Sequence, residues 1–105
     1  MTDPEHINKW EVAAREWVKL DGEARRLEEL KKTVFSEVVN RSNAKAISKA
    51  EHEAYASSEF REHVKRMVEA RTRANIARAH MDGLKLTFEQ WRTMQATRRT
   101  EMGLT

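Results

Sequence analysis

The sequence predicts an all-α protein: a long two-helix antiparallel hairpin, coiled-coil-like, that assembles as an oligomer. Three observations point there. Apolar side chains step by three and four residues along almost the whole chain. Glycine appears three times and proline once in 105 residues. Charged residues make up 35% and apolar ones 39%, against about 25% and 45–50% in an average soluble domain. Steps of three and four keep side chains on one side of a helix, and a sustained seven-residue repeat makes that side a seam for another helix. A highly charged chain with few breakers suits elongated rods with much exposed surface, and a single hairpin of this length buries little alone. The chain reads as one helical domain over 1–105.

The first helix is expected over about residues 4–39. Thr2 and Glu5 fit a capping box, and Pro4 suits an early position where no amide donor is needed. Its stripe is Trp10, Ala13, Trp17, Leu20, Ala24, Leu27, Lys31, Val34 and Val38. Asp21-Gly22 interrupts the pattern, but the stripe keeps phase from Leu20 to Ala24, so Gly22 reads as a weak spot and not an end. The bend is expected at about 40–47, where Asn40, Ser42 and Asn43 compete for backbone hydrogen bonds and favour turns.

Ser48 and Glu51 form a second Ser-x-x-Glu box, which places the second helix at about 48–102. Its stripe runs from Ala56 and Phe60 through His63, Met67, Ala70, Ala74, Ala77, Met81, Leu84, Phe88, Trp91 and Gln95 to Arg98 and Met102. A break at 82–87 is the alternative: Asp82-Gly83 would end the helix, and Thr87 with Gln90 would cap a third one. The unbroken phase from Met81 to Trp91 favours one helix. Folding back brings the Trp10/Trp17 end beside the small Ala70, Ala74 and Ala77, a size match that fills space without voids. Phe88, Trp91 and Met102 then extend past the first helix and await another subunit. Trp10, Trp17, Phe60, Met67, Phe88 and Trp91 are the expected oligomer-interface residues.

Charge is distributed unevenly within a net +3. Acidic residues outnumber basic ones over 1–30. Around the bend, Lys31, Lys32, Arg41, Lys45 and Lys49 stand against Glu37 alone. Over 64–99, nine basic residues face only Glu69, Asp82 and Glu89. An anionic partner for the bend and second helix follows. Lysine and arginine neutralise nucleic-acid phosphates without regard to base sequence, so Lys31, Lys32, Arg41, Lys45 and Lys49 are the candidate nucleic-acid contacts. The second basic face includes Lys65, Arg66, Arg71, Arg73, Arg78, Arg92, Arg98 and Arg99; these also suit pairing with first-helix acids such as Glu11, Glu16, Asp21 and Glu23. Of the aromatic residues, Tyr55 and Phe35 lie off the seams near the bend and are the candidates for base stacking.

Other chemistries lack their residues. With no cysteine, disulfides, thiol catalysis and cysteine zinc sites are excluded. Glu59 and His63 have an i, i+4 spacing seen among metal ligands, but no second ligand pair accompanies them. Ser57-Ser58 has no histidine base in a motif context, and there is no glycine-rich phosphate loop. No cofactor, metal or enzymatic activity is expected. No apolar run approaches the ~18 residues of a membrane span, and the N-terminus lacks a signal-peptide pattern, so a cytoplasmic location is expected.

The Lys-Trp at 9–10, Leu27-Glu28 leading into Lys31-Lys32, the polar bend, a second helix from about Glu51 with Ser58-Glu59, and the later Ala70, Asp82, Leu84 and Phe88-Glu89-x-Trp91 together resemble the UvsY-like family of phage recombination mediators. That resemblance spans about residues 8–100. It implies a small oligomeric helical protein that binds single-stranded DNA in the host-cell cytoplasm. It further implies loading of a RecA-like recombinase by displacement of a single-strand binding protein. Lys31 and Lys32 match the basic part of the family's DNA-binding helix, whereas its next basic positions hold Ser36 and Val38 here. The rival expectation is a coiled-coil scaffold or adaptor that binds a protein partner and no nucleic acid. A small helical regulator that docks in a groove of a host enzyme is a third.

Overall fold

The computed structural model describes residues 3–103 as three helices. Helix α1 spans Asp3–Arg41, α2 spans Ile47–Ala56 and α3 spans Ser58–Gly103. α1 and α3 pack side by side as an antiparallel hairpin, with α2 at the bend, in a rod of 86 × 19 × 15 Å. Its accessible surface of 8252 Å² is about a third above the ~6100 Å² of a compact 12.3 kDa monomer.

The stripe on α3 is the face that meets α1. From Phe60 to Gln95 every member is buried or half-buried, while most neighbours are exposed. The centre of the seam is small: Ala24, Ala70 and Ala74 are buried, with Leu20 and Leu27 packed against them. Alanine at these layers lets the two helices approach closely. Neither Gly22 nor Gly83 ends a helix. Gly83 takes no positive φ, and α3 runs through it unbroken. Thr87 therefore caps nothing; its hydroxyl donates to the Gly83 carbonyl at 2.9 Å, one turn back.

The structure corrects the sequence reading in four places. The second long element is broken, but at Ser57 and not at 82–87. Ser57 leaves helical geometry (φ −65°, ψ 144°). Its hydroxyl accepts from the Phe60 amide at 3.2 Å and donates to the Ala54 carbonyl at 2.7 Å. One side chain thus ends α2 and caps α3. The Ser48 box does not form: α2 begins after Ala46 with no side-chain cap, which leaves Ser48 inside the first turn. Ser42 stabilises the bend instead, accepting from the Ala44 amide at 3.1 Å and donating to Glu53 at 2.7 Å. The Thr2 cap lies outside the described residues.

The third and fourth corrections concern register and cover. Trp10 and Trp17 do not face Ala70 and Ala74. Trp17 lies under the Arg78 guanidinium, 5.8 Å from its ring centroid, and Trp10 shares a groove with Phe88. Phe88 and Trp91 are covered within the chain, by His6. This buried histidine sits 5.2 Å from the Phe88 ring and 5.1 Å from Trp91.

Candidate nucleic-acid interface

The last turns of α1 set Lys31 beside Phe35 and Lys32 beside Ser36, each pair one helical turn apart on a shared face. The break at Ser57 swings α2 so that Tyr55 reaches the same place. The three rings form a cluster: Phe35–Tyr55 at 4.7 Å, Phe35–Phe60 at 5.4 Å and Tyr55–Phe60 at 5.7 Å between centroids. Phe60 is buried and anchors it, Phe35 is half-buried, and Tyr55 is 59% exposed. Together with Val64 on α3 these residues line a groove of about 530 Å³ with Lys31, Lys32 and Ser36 along one edge. Both lysines are exposed and neither has an ion-pair partner among the described residues.

The five basic residues expected at the bend do not make one patch. Lys31 and Lys32 edge the groove. Arg41 pairs with Glu59 and donates from Nε to the Glu37 carbonyl at 3.2 Å, so its charge is compensated locally. Lys45 lies exposed in the 42–46 connection. Lys49, on α2, is six positions before Tyr55 and hence about 120° round that helix from it. Both expected stacking residues, Phe35 and Tyr55, are in the groove. Phe60 and Val64 were not expected there; Phe60 had been assigned to the oligomer interface. Of the other residues so assigned, Trp17, Met67, Phe88 and Trp91 are half-buried in the intrachain seam, and Trp10 is 37% exposed.

Farther from the bend, Arg71 fastens the two long helices. Its Nε and one terminal nitrogen bind the two oxygens of Glu28 at 3.0 and 2.6 Å, and the other nitrogen binds Asp21 at 2.7 Å. Arg25 adds a second contact to Asp21 at 2.9 Å. The hydrogen bonds from Arg71 hold both carboxyls below their ordinary range, and the same bonds push the guanidinium up. Asp21 was among the acids expected to pair with the second basic face; Glu28 takes the other half of the fork in place of Glu23. Around the bend, the opposite side of the hairpin is more acidic: Glu59, Glu62, His63 and Arg66 surround Val34 there. His63 donates from Nε2 to the Leu27 carbonyl at 2.7 Å, which commits it to fixing α3 on α1. No group of three or more potential metal ligands occurs among the described residues.

The groove joins two capacities. Unpaired lysines can neutralise phosphates and release their counterions. An exposed ring on a rigid aromatic base can stack a nucleobase of any identity. Comparison with protein-family models, with curated proteins and with solved structures finds no match. The resemblance to recombination mediators therefore rests on the residues alone.

Proposed function

We propose that this chain is an oligomeric, non-enzymatic single-stranded DNA-binding protein that acts as a recombination mediator of phage origin. It would help a RecA-like recombinase replace a single-strand binding protein in the host cytoplasm. One observation carries the binding reading: two uncompensated lysines stand beside an exposed tyrosine that rests on a buried aromatic base. The mediator role comes from the resemblance. The assembly reading is supported by the elongated shape, whose surface is about 2000 Å² above that of a compact monomer, and by Val12, Val18, Val68 and Ile76, apolar side chains that are each more than half exposed.

The test is a salt titration of binding to labelled oligothymidylate, followed by fluorescence anisotropy. Each phosphate contact on a single strand contributes about 0.7 to the slope of log K against log salt. The K31Q/K32Q double variant should therefore lose about 1.4 from that slope and bind roughly 25-fold more weakly at 0.1 M salt. Wild-type protein that fails to bind at low salt, or a double variant with the wild-type slope, overturns the proposal. The first result would favour the protein-binding scaffold.

A further inference from the structure

Moving four residues on from Met67, Ala74, Met81, Phe88 and Gln95 of the α3 seam gives Arg71, Arg78, Lys85, Arg92 and Arg99. Every seventh residue from 71 to 99 is thus basic, and a seven-residue spacing keeps them in one row, about 10.5 Å apart, along one flank of the hairpin. The preceding member of the row is Val64, which lines the groove at the bend. Lys85 and Arg92 line a second groove of about 250 Å³ at the far end, with Ile7, Trp10, Phe88 and Glu89. The row therefore joins the two grooves along the same side.

The second groove repeats the chemistry of the first. Arg92 lies 5.8 Å from the Phe88 ring centroid, and Arg78 lies over Trp17 in the same way. Ile7 is 45% and Trp10 37% exposed, so the groove offers open apolar and aromatic surface. Charge along the row is not uniform. Arg71 is occupied by Asp21 and Glu28, and with Arg25 on Asp21 the four groups form a neutral saddle. Arg78 is 4.0 Å from Asp82, a loose contact with both groups more than half exposed. Arg78, Lys85, Arg92 and Arg99 then face only Asp82 and Glu89 on this stretch of α3.

We infer that a single strand binds along this whole flank, with Tyr55/Phe35 and the exposed Trp10 as two stacking subsites bridged by the basic row. This inference rests on the reading of the bend groove as a single-strand site. Val64 and Phe88 are 24 residues apart, about 36 Å along α3, which a stacked strand spans in ~11 nucleotides at 3.4 Å each. A 6-mer fits one groove; a 20-mer engages both.

The experiment compares oligothymidylates of 6 and 20 nucleotides on wild-type protein, K31Q/K32Q, K85Q/R92Q and E89Q, with circular dichroism to confirm helicity. The inference expects K85Q/R92Q to weaken the 20-mer roughly 25-fold at 0.1 M salt, with a slope lower by about 1.4. The 6-mer should change less than about threefold, since the bend groove is intact. E89Q, which removes the acid in the second groove, should tighten the 20-mer by up to about fivefold. If K31Q/K32Q weakens binding while K85Q/R92Q and E89Q leave the 20-mer unchanged, the bend site stands and the extended track is wrong. If the wild type binds neither oligonucleotide, both fall.

Discussion

Replacing Ala74 by leucine probes the seam at its tightest layer. Ala74 has no exposed surface, and neither has Ala24, which packs with it alongside Ala70, Leu20 and Leu27. A leucine adds three carbon atoms where no solvent-filled space exists to take them. Either the helices separate locally and strip cover from Leu20 and Leu27, or the new side chain takes a strained rotamer. Overpacking of this kind costs about 1–3 kcal/mol. For a chain of this size, each kcal/mol lowers Tm by about 4–8 °C, so a 2 kcal/mol cost gives roughly 8–16 °C. The assay is thermal unfolding followed by circular dichroism at fixed protein concentration, because self-association makes Tm concentration-dependent. The control is Ala79→Leu on the exposed side of α3, where leucine and alanine have nearly equal helix propensity. Ala74→Leu at or above the wild-type Tm would refute close packing of α1 on α3 at this layer.

Two further outcomes follow from particular side chains. The carboxyls of Asp21 and Glu28 are lowered in the folded chain by hydrogen bonds from Arg71, so their contribution to stability is fully present above the ordinary carboxylate range and is lost as pH falls through the lowered folded values. Tm should hold from neutral pH to about pH 5 and drop through pH 4, and Arg71→Gln should lower the neutral plateau and flatten that acid drop; equal acid drops in both proteins would contradict the fork. Ser57→Ala removes the cap of α3 and should cost about 1 kcal/mol, read as a lower Tm with faster exchange of the Phe60 amide, whereas unchanged exchange at Phe60 would show that the serine does not cap α3.

The long elements were legible because a seam leaves a period in the sequence. Phe60 to Gln95 alternates by threes and fours, and those residues form the contact face. The register was not legible because it depends on the length of the connection. α2 and the break at Ser57 belong to that connection, so α3 starts at Ser58 and each α1 layer meets residues farther along α3 than a turn at 40–47 would bring to it. Ser57 was hidden for a different reason. A serine in a helical stretch is ordinary until its hydroxyl serves both Phe60 and Ala54, and that depends on α2 docking at the bend. Charge density exposed Lys31 and Lys32, and spacing exposed Phe35 and Tyr55 as off-seam rings. Their union in one groove depends on Phe60 reaching across from α3. Arg41 was indistinguishable from the other basic residues until folding brought Glu59, eighteen positions away, beside it.

The most direct test of the groove is photochemical. A 20-nucleotide strand carrying 5-bromodeoxyuridine, irradiated in complex with the protein and mapped by mass spectrometry of the peptides, reports which rings touch bases. Cross-links at Tyr55 or Phe35 that disappear as salt rises would establish the stacking platform. Efficient cross-linking confined to residues outside the bend groove, with Tyr55 and Phe35 unmodified, would contradict it.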